Sequence, residues 1–349
     1  MNCVLSFCIA TYNRQEMLKE LIESILACPS DKIEVVVSDN CSTDATMEML
    51  MNIGDKRLSI YCNDENIGGA QNAYRAIRRA NGMYAMYLND REIVYTAEIP
   101  NIINFLEGNS EIVGGICYRG TNEDGDNIII LSGKNAVEAI GYRTDIHPSG
   151  SFFKTDILKE IGDQEWNGYS ENAKEYVYPL DQLFGYISIK GKVCIYRFAN
   201  KLYDSRLSFS GKSLKSHYDN TRDILYYGYT PEAGLKRVLN HQEHFISLYK
   251  ENEFDLNILQ FKHIIYNIFC VQINFIRHQY FSVINGVWRD HYQVKEKKFG
   301  RVKKIYIICD FWKKYRKKIQ TNNVLNDKWI VKKEFRFVIK CIYEIIIGK

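Results

Sequence analysis

Asp90, Arg91 and Glu92 stand where an apolar run ends, inside the segment MYAMYLNDREIVY (Met83–Tyr95). Two carboxylates one residue apart at a strand end can converge on a divalent cation. Hard oxygen ligands of this kind suit Mg²⁺ or Mn²⁺, which also accept phosphate oxygens. Such an ion would neutralise a diphosphate as it departs. An isolated Asp-x-Glu is otherwise a solvated turn, and the position at a strand end favours the chemical reading. Arg91 can replace part of the ion's charge, pair with a phosphate directly, or turn away into a salt bridge. Asp39 ends a second run, IEVVVS, and precedes Asn-Cys-Ser-Thr-Asp. Its carboxylate can accept hydrogen bonds from a uracil N–H or a ribose hydroxyl. It can also cap a turn, a role that fits Asp44 better.

The elements that must position these groups alternate. Cys3–Ala10 has strand length, and Met17, Leu18, Leu21, Ile22 and Ile25 form a helical stripe after it. Ile33–Ser38 is β-branched and continuous, as in a strand covered on both faces. Ser42 or Thr43 is placed to cap the next helix. Leu58–Cys62 reads as a third strand. A Gly68-Gly69 turn opens a helix along Ala70, Ala73, Tyr74 and Ile77, and MYAMYL is a fourth strand. This β-α order predicts a mostly parallel sheet flanked by helices. Polar clusters follow each strand, at Thr11-Tyr12-Asn13, Asp39-Asn40, Asn63-Asp64 and Asn89-Asp90. Open parallel sheets bind ligands at that edge. Further on, His147–Gly162 reads as a turn, a short strand and a helix. A helix near Pro179 precedes a strand at Val193–Tyr196, and the chain from about Ser205 is mostly helical.

With 349 residues, 46% of them hydrophobic, the chain can bury one large domain with an elaboration, or two domains. The ten cysteines form no C-x-x-C pair, which argues against zinc or redox motifs and for a reducing cytoplasm. The N-terminus lacks a basic segment followed by a long apolar one. No charge-free apolar run reaches the roughly 18 residues of a membrane span. From Lys295 onward, 17 Lys and Arg face 5 Asp and Glu, a net +12 that leaves −8 on the first 294 residues. Ile305, Ile308, Trp312, Tyr315 and Ile319 share one helical face there, with Lys313, Lys314, Lys317 and Lys318 largely opposite. That pattern suits either an anionic membrane surface or a packed helix with a solvated lysine side. No nucleic-acid motif accompanies the charge.

Four segments in series, FCIATYNRQEMLKELIESIL, EVVVSDNCSTDAT, NDENIGGAQNAYRAI and YAMYLNDRE, resemble family 2 glycosyltransferases of the GT-A fold. The resemblance implies an α/β domain over residues 1–205, with a Rossmann-like, mostly parallel sheet. A helical basic region, 206–349, follows and is expected to meet an anionic membrane through 295–349. The implied activity is inverting transfer of a sugar from a nucleotide-diphosphate donor, UDP-linked by expectation, to a lipid-linked or polysaccharide acceptor. Its setting is the cytoplasm or the inner face of the cell membrane, with no nucleic-acid partner. By position, Ala10, Thr11 and Tyr12 line the nucleobase pocket and Asp39 holds the uracil or ribose. Asn72 and Arg75 approach the base or diphosphate. Asp90, Arg91 and Glu92 occupy the family's Asp-x-Asp place, with Asp90 and Arg91 at the donor and Asp90 and Glu92 as ligands to Mn²⁺ or Mg²⁺. Members usually show further acidic residues there, and Asn89, Arg91 and Glu92 depart from that. Asp181, in YPLDQLF, takes the position of the general base, with Glu175 and Glu171 as runners-up. His147 is a candidate acceptor contact. His241 and His244, at i and i+3, lack the carboxylate cluster a metal site would want. GxGxxG is absent after the first strand, which disfavours a dinucleotide-binding oxidoreductase, and the Gly-rich basic loop of a nucleotidyltransferase is absent there too. A degenerate transferase acting as a glycan-binding or scaffold protein is the alternative.

Overall fold

The computed structural model describes residues 3–118, 127–143, 146–173, 180–197, 202–205, 228–251, 256–286, 289 and 294–348. By internal contacts the chain divides into two compact units. One is Met1–Ser132, Ile146–Lys174 and Tyr178–Asp219; the other is Gly133–Asp145, Glu175–Val177 and Asn220–Lys349.

The first unit opens with β1 (Leu5–Thr11), α1 (Gln15–Leu26), β2 (Ile33–Asp39), α2 (Thr46–Met51), β3 (Leu58–Cys62), α3 (Gly69–Arg78) and β4 (Tyr84–Asn89). It continues through β5 (Glu92–Val94), α4 (Ile99–Gly108), β6 (Ile112–Tyr118) and β7 (Asn127–Leu131). The chain makes α5 (Gly133–Ala139) in the second unit and returns as β8 (Ser151–Lys154), α6 (Thr155–Lys159), α7 (Asp163–Ala173), α8 (Asp181–Lys190), β9 (Lys192–Arg197) and β10 (Tyr203–Ser205). Eight strands form one sheet in the order β3-β2-β1-β4-β8-β6-β9-β7. β1, β2, β3 and β4 are mutually parallel, β8 runs antiparallel to β4 and β6, and β9 is parallel to β6. This is the mixed α/β sheet the β-α alternation predicts, with antiparallel insertions beyond β4.

Alternation along β1 and β2 explains the layers. Phe7, Ile9, Val35 and Val37 face a core built with Leu18, Leu21, Ile22 and Ile25 of α1 and Ile99, Ile102, Ile103 and Leu106 of α4. α3 packs against β1 and β2, and α8 against β6 and β9. The helical stripe of α1 is as expected except that Met17 is only partly buried. β6 carries Gly114-Gly115 because β9 comes close: a Cβ on Gly115 would lie 2.0 Å from the Cys194 carbonyl oxygen. The ten cysteines are free thiols.

Besides α5, the second unit holds α9 (Pro231–Glu251), α10 (Ile258–Phe275), a π-turn Ile276–Tyr280 leading into α11 (Phe281–Asn285), α12 (Arg301–Ile319) and α13 (Lys328–Ile347). Asn257 and Gln260 form a capping box on α10, and Asp327 caps α13 while pairing with Lys262 at 2.8 Å. In its core, the Tyr315 hydroxyl lies within hydrogen-bond distance of both Gln242 Oε1 (3.0 Å) and Glu334 Oε1 (2.8 Å), and Arg316 Nη1 lies 3.6 Å from Glu334 Oε2. Burial pushes the Glu334 carboxyl up from 4.5 to about 7, although the Tyr315 hydrogen bond and Arg316 pull it down. Its other neighbours include Tyr266 and Cys270 of α10.

A carboxyl raised in the folded state contributes stability below its unfolded pKa, and that contribution is lost as pH rises through the folded value. A shift from 4.5 to about 7 corresponds to about 3 kcal/mol. Glu334→Gln should therefore match the wild type below about pH 4.5, gain on it as pH rises from about 4.5 to about 7, and hold a constant advantage above that, measured by chemical denaturation. A difference that stays constant with pH would refute this.

Candidate active site

The carboxyl ends of β1 to β4 lie level. The register pairs Thr11 with Asp39, Asp39 with Cys62, and Ala10 with both Ser38 and Asn89. The polar clusters that follow these strands in sequence therefore share one rim.

At β1 the chain turns through Asn13, which is left-handed at φ 51°. Asn13 Oδ1 accepts the Thr43 N–H (2.7 Å), and the Asn13 N–H donates to Ser42 Oγ (2.8 Å), so the loops after β1 and β2 are pinned together. Asp39 is fully buried and accepts from the Ser42 N–H (2.8 Å) and the Ser42 hydroxyl (2.5 Å). Asp44 accepts from the Thr46 N–H at 3.0 Å ahead of α2. Both aspartates thus close turns, and neither Ser42 nor Thr43 caps the helix, which starts at Thr46.

Asn72, on α3, is buried. Its Oδ1 accepts from Ser38 Oγ (2.6 Å) and Asn63 Nδ2 (2.9 Å), and its Nδ2 donates to the carbonyls of Ser38 (2.7 Å) and Thr11 (3.4 Å). The amide is spent on holding three strand ends. Arg75 is exposed and donates to Asn63 Oδ1 at 2.9 Å. Arg79 reaches Ser38 Oγ at 2.8 Å and lies 4.4 Å over the Tyr61 ring. Asn40 accepts from Asn63 Nδ2 (3.1 Å) and the Ile67 N–H (3.0 Å), and its amide donates to Asn66 (2.7 Å). The sequence places Asn40 and Asn63 in the rim clusters without giving them a role, singles out Asn72, and does not mark Asn66 or Arg79. Asparagines recurring after β2, β3 and at the start of α3 were the available signal. Of the nucleobase candidates, Thr11 is buried, Ala10 half-buried and Tyr12 exposed.

After β4, Asp90 is buried with both oxygens engaged. Thr11 Oγ1 donates to Oδ2 at 3.0 Å, and Arg14 Nη1 pairs with Oδ1 at 2.5 Å. Burial, then Asp90, push the nearby Tyr87 phenol above its ordinary range, with Arg91 and Arg14 opposing. Glu92 does not face outward. It opens β5, which pairs with β10 so that Glu92 is opposite Ser205, and it is fully buried. Ser149 Oγ donates to Glu92 Oε1 (3.0 Å) and accepts the Asn89 N–H (3.1 Å). Tyr203 Oη donates to the Ser149 carbonyl at 2.5 Å, and the Gly150 N–H donates to the Tyr87 carbonyl at 2.9 Å. Gly150 is left-handed at φ 85°, and a Cβ there would meet the Cys117 carbonyl at 2.3 Å. The HPSG turn thus buttresses the acidic segment from beneath. His147 Nδ1 accepts the Ser149 N–H at 3.3 Å.

These partners bear on the expected cation. Asp90 is committed to a hydroxyl and a guanidinium, Glu92 is sealed beneath Ser149 and β10, and among the described residues no three His, Cys, Asp or Glu converge. The donor set as folded does not fit a divalent ion. Asp181 is the first residue of α8 and is buried. Its helix packs on β6 and β9, which β8 separates from β4 in the sheet. Glu171 accepts from Gln71 Nε2 at 2.7 Å, whereas Glu175 lies outside the described residues.

The sequence model described as Glycosyl transferase family 2 matches residues 6–162. Over 104 residues the chain is 31% identical to an Escherichia coli UDP-Glc:alpha-D-GlcNAc-diphosphoundecaprenol beta-1,3-glucosyltransferase, covering 30% of this chain and 41% of that protein. Over 121 residues it is 32% identical to a Salmonella typhimurium abequosyltransferase, covering 33% and 36%. The matches thus span less than half the length of these relatives. Among solved structures, S. aureus TarS residues 1–349 superposes with a TM-score of 0.55 at 15% identity, covering 99% of this chain and 92% of that one, a likeness of fold.

Two outcomes follow from the acidic segment. Ser149→Ala removes a donor to a buried carboxylate and should cost roughly 2 kcal/mol in chemical denaturation; a change below about 0.5 kcal/mol would contradict the buttress. Mn²⁺ added to the protein should keep its free-ion EPR signal, while signal loss that Asp90→Asn abolishes would show that the carboxylates do gather an ion.

Proposed function

The chain belongs to glycosyl transferase family 2, and from that premise we propose that it is an inverting glycosyltransferase. The donor is a nucleotide-diphosphate sugar, read as UDP-linked, and the acceptor is a growing glycan carried on a lipid or a polysaccharide. The observation that carries this reading is the level rim of Thr11, Asp39, Asn63 and Asp90 at the carboxyl edge of four parallel strands. The UDP-glucose and diphosphoundecaprenol in the E. coli relative's name support the donor and a lipid-linked acceptor, which would be met at a membrane surface.

On this reading the nucleotide lies along the ends of β1 to β3, beside Tyr12 and the Arg75–Arg79 pair. Asp39 serves it through the turn that Ser42 completes, ordering the backbone against which base and ribose rest. Arg14, oriented by Asp90, and Arg91 supply positive charge where the diphosphate gains charge on leaving. A guanidinium fork matches phosphate oxygens and needs no proton to do so. Asp181 takes the proton from the acceptor hydroxyl as that oxygen attacks the anomeric carbon and the carbon–phosphate oxygen bond breaks. Asp181 stands at the first position of a ten-residue helix.

A panel of UDP-, GDP- and CDP-sugars in thermal shift should single out one UDP-sugar, and no shift with any of them would sink the reading. With that donor, Asp181→Asn should lose about 10²–10⁴-fold in transfer while keeping the donor-induced shift. Near-normal turnover by the variant would remove Asp181 from the mechanism.

A further inference from the structure

α12 and α13 form an antiparallel hairpin. Trp312 meets Phe335 with ring centroids 5.4 Å apart, Tyr315 bonds Glu334, and Arg301 near the start of α12 approaches Gly348 at the end of α13. Ile308, Phe311, Tyr315 and Ile319 of α12, with Ile330, Val338, Cys341 and Ile345 of α13, are buried in the helical unit. Much of the apolar stripe visible in the sequence is therefore core, as the packed-helix alternative has it.

A second apolar surface is left outside. Val302 is 83% exposed, Ile339 49% and Ile346 51%, and Tyr306, Phe335 and Tyr343 are exposed with them. Phe335, Ile339 and Ile346 recur at spacings of four and seven, so they line one side of α13. Lys332, Arg336 and Lys340 are exposed on the neighbouring side of the same helix, and Lys313 and Lys317 are exposed on α12. The acids of the hairpin are fewer than its cations. Asp327 is paired with Lys262, Asp310 with Lys314 (2.8 Å), Glu344 with Arg277 (2.6 Å) and, at 3.8 Å, with Lys340, and Glu334 is buried. Single exposed apolar residues are ordinary, but a row of aromatic and aliphatic groups bordered by cations is not. No helix among the described residues is long and apolar enough to cross a membrane.

We propose that the α12–α13 hairpin docks flat on an anionic phospholipid surface, sinking Val302, Phe335, Ile339 and Ile346 among the acyl chains while Lys332, Arg336 and Lys340 meet the headgroups. Charge complementarity selects this occupant: the segment from residue 295 carries a net +12, and an anionic leaflet is the partner that offers both an apolar interior and a dense negative border. Tyr306 and Tyr343 have the amphipathic form that sits at the boundary between the two. The inference uses none of the transferase residues and stands apart from that reading.

The test is co-sedimentation of the full chain with vesicles of phosphatidylcholine alone and with about one-third phosphatidylglycerol, without donor or acceptor. The wild type should pellet with the anionic vesicles and partition at least tenfold less into neutral ones, each basic residue at the surface contributing about fivefold. Ile339→Glu with Ile346→Glu should cut binding at least tenfold, and Lys332→Glu with Lys340→Glu should do the same and flatten the salt dependence. Far-ultraviolet melting checks that these exposed-site variants fold. Equal pelleting with both vesicle types, or wild-type partition by folded variants, overturns the proposal. So does a size-exclusion dimer that the Ile variants dissolve while vesicle binding is unchanged, which would make a second copy the occupant.

Discussion

The rim depends on one buried amide. Asn72 projects from α3 between the ends of β1, β2 and β3 and fills its hydrogen-bonding capacity with Thr11, Ser38 and Asn63. A helix that merely packed on the sheet could slide along it. A helix whose side chain must satisfy four partners at once cannot, because each bond lost would leave a polar group buried without compensation. The position of α3 thereby fixes Gly68 and the loop before it, where Asn40 and Asn66 continue the network. Specific polar pairing of this kind defines the sites where Arg75 and Arg79 are presented.

Much of this arrangement is legible in the sequence. The strand boundaries fall within a few residues of Leu5–Thr11, Ile33–Asp39, Leu58–Cys62 and Tyr84–Asn89, because apolar runs closed by polar residues record burial directly. The rim clusters follow from the same fact. Glu92 could not be read this way. Its neighbour in space, β10, is more than a hundred residues away in the chain, and no local pattern marks a three-residue strand. Ser149 was equally hidden, inside a turn whose sequence draws the eye to its histidine. The apolar stripe of the C-terminal helices was visible, yet periodicity could not say which of two apolar sides would be covered, since that depends on the partner helix and not on the helix itself.

The acidic segment shows how the same residue types can serve different ends. A strand-end Asp-x-Glu offers two carboxylates to whatever is near. Here Thr11 and Arg14 claim the first, and Ser149 and the β5–β10 pairing enclose the second. With Arg91 between them, the local charge is less negative than the two acids alone suggest. The segment acts as a brace that orients arginines as much as a source of negative charge.

The pairing of β5 with β10 also has a consequence for how the molecule comes to be. Glu92 and Ser205 meet only after the intervening chain has been made and has closed a loop of over a hundred residues. During synthesis the first four strands can assemble while the strand that seals the acidic segment is still inside the ribosome. Until it arrives, a carboxylate destined for the interior remains in water, so the acidic segment is among the last parts of the domain to be enclosed.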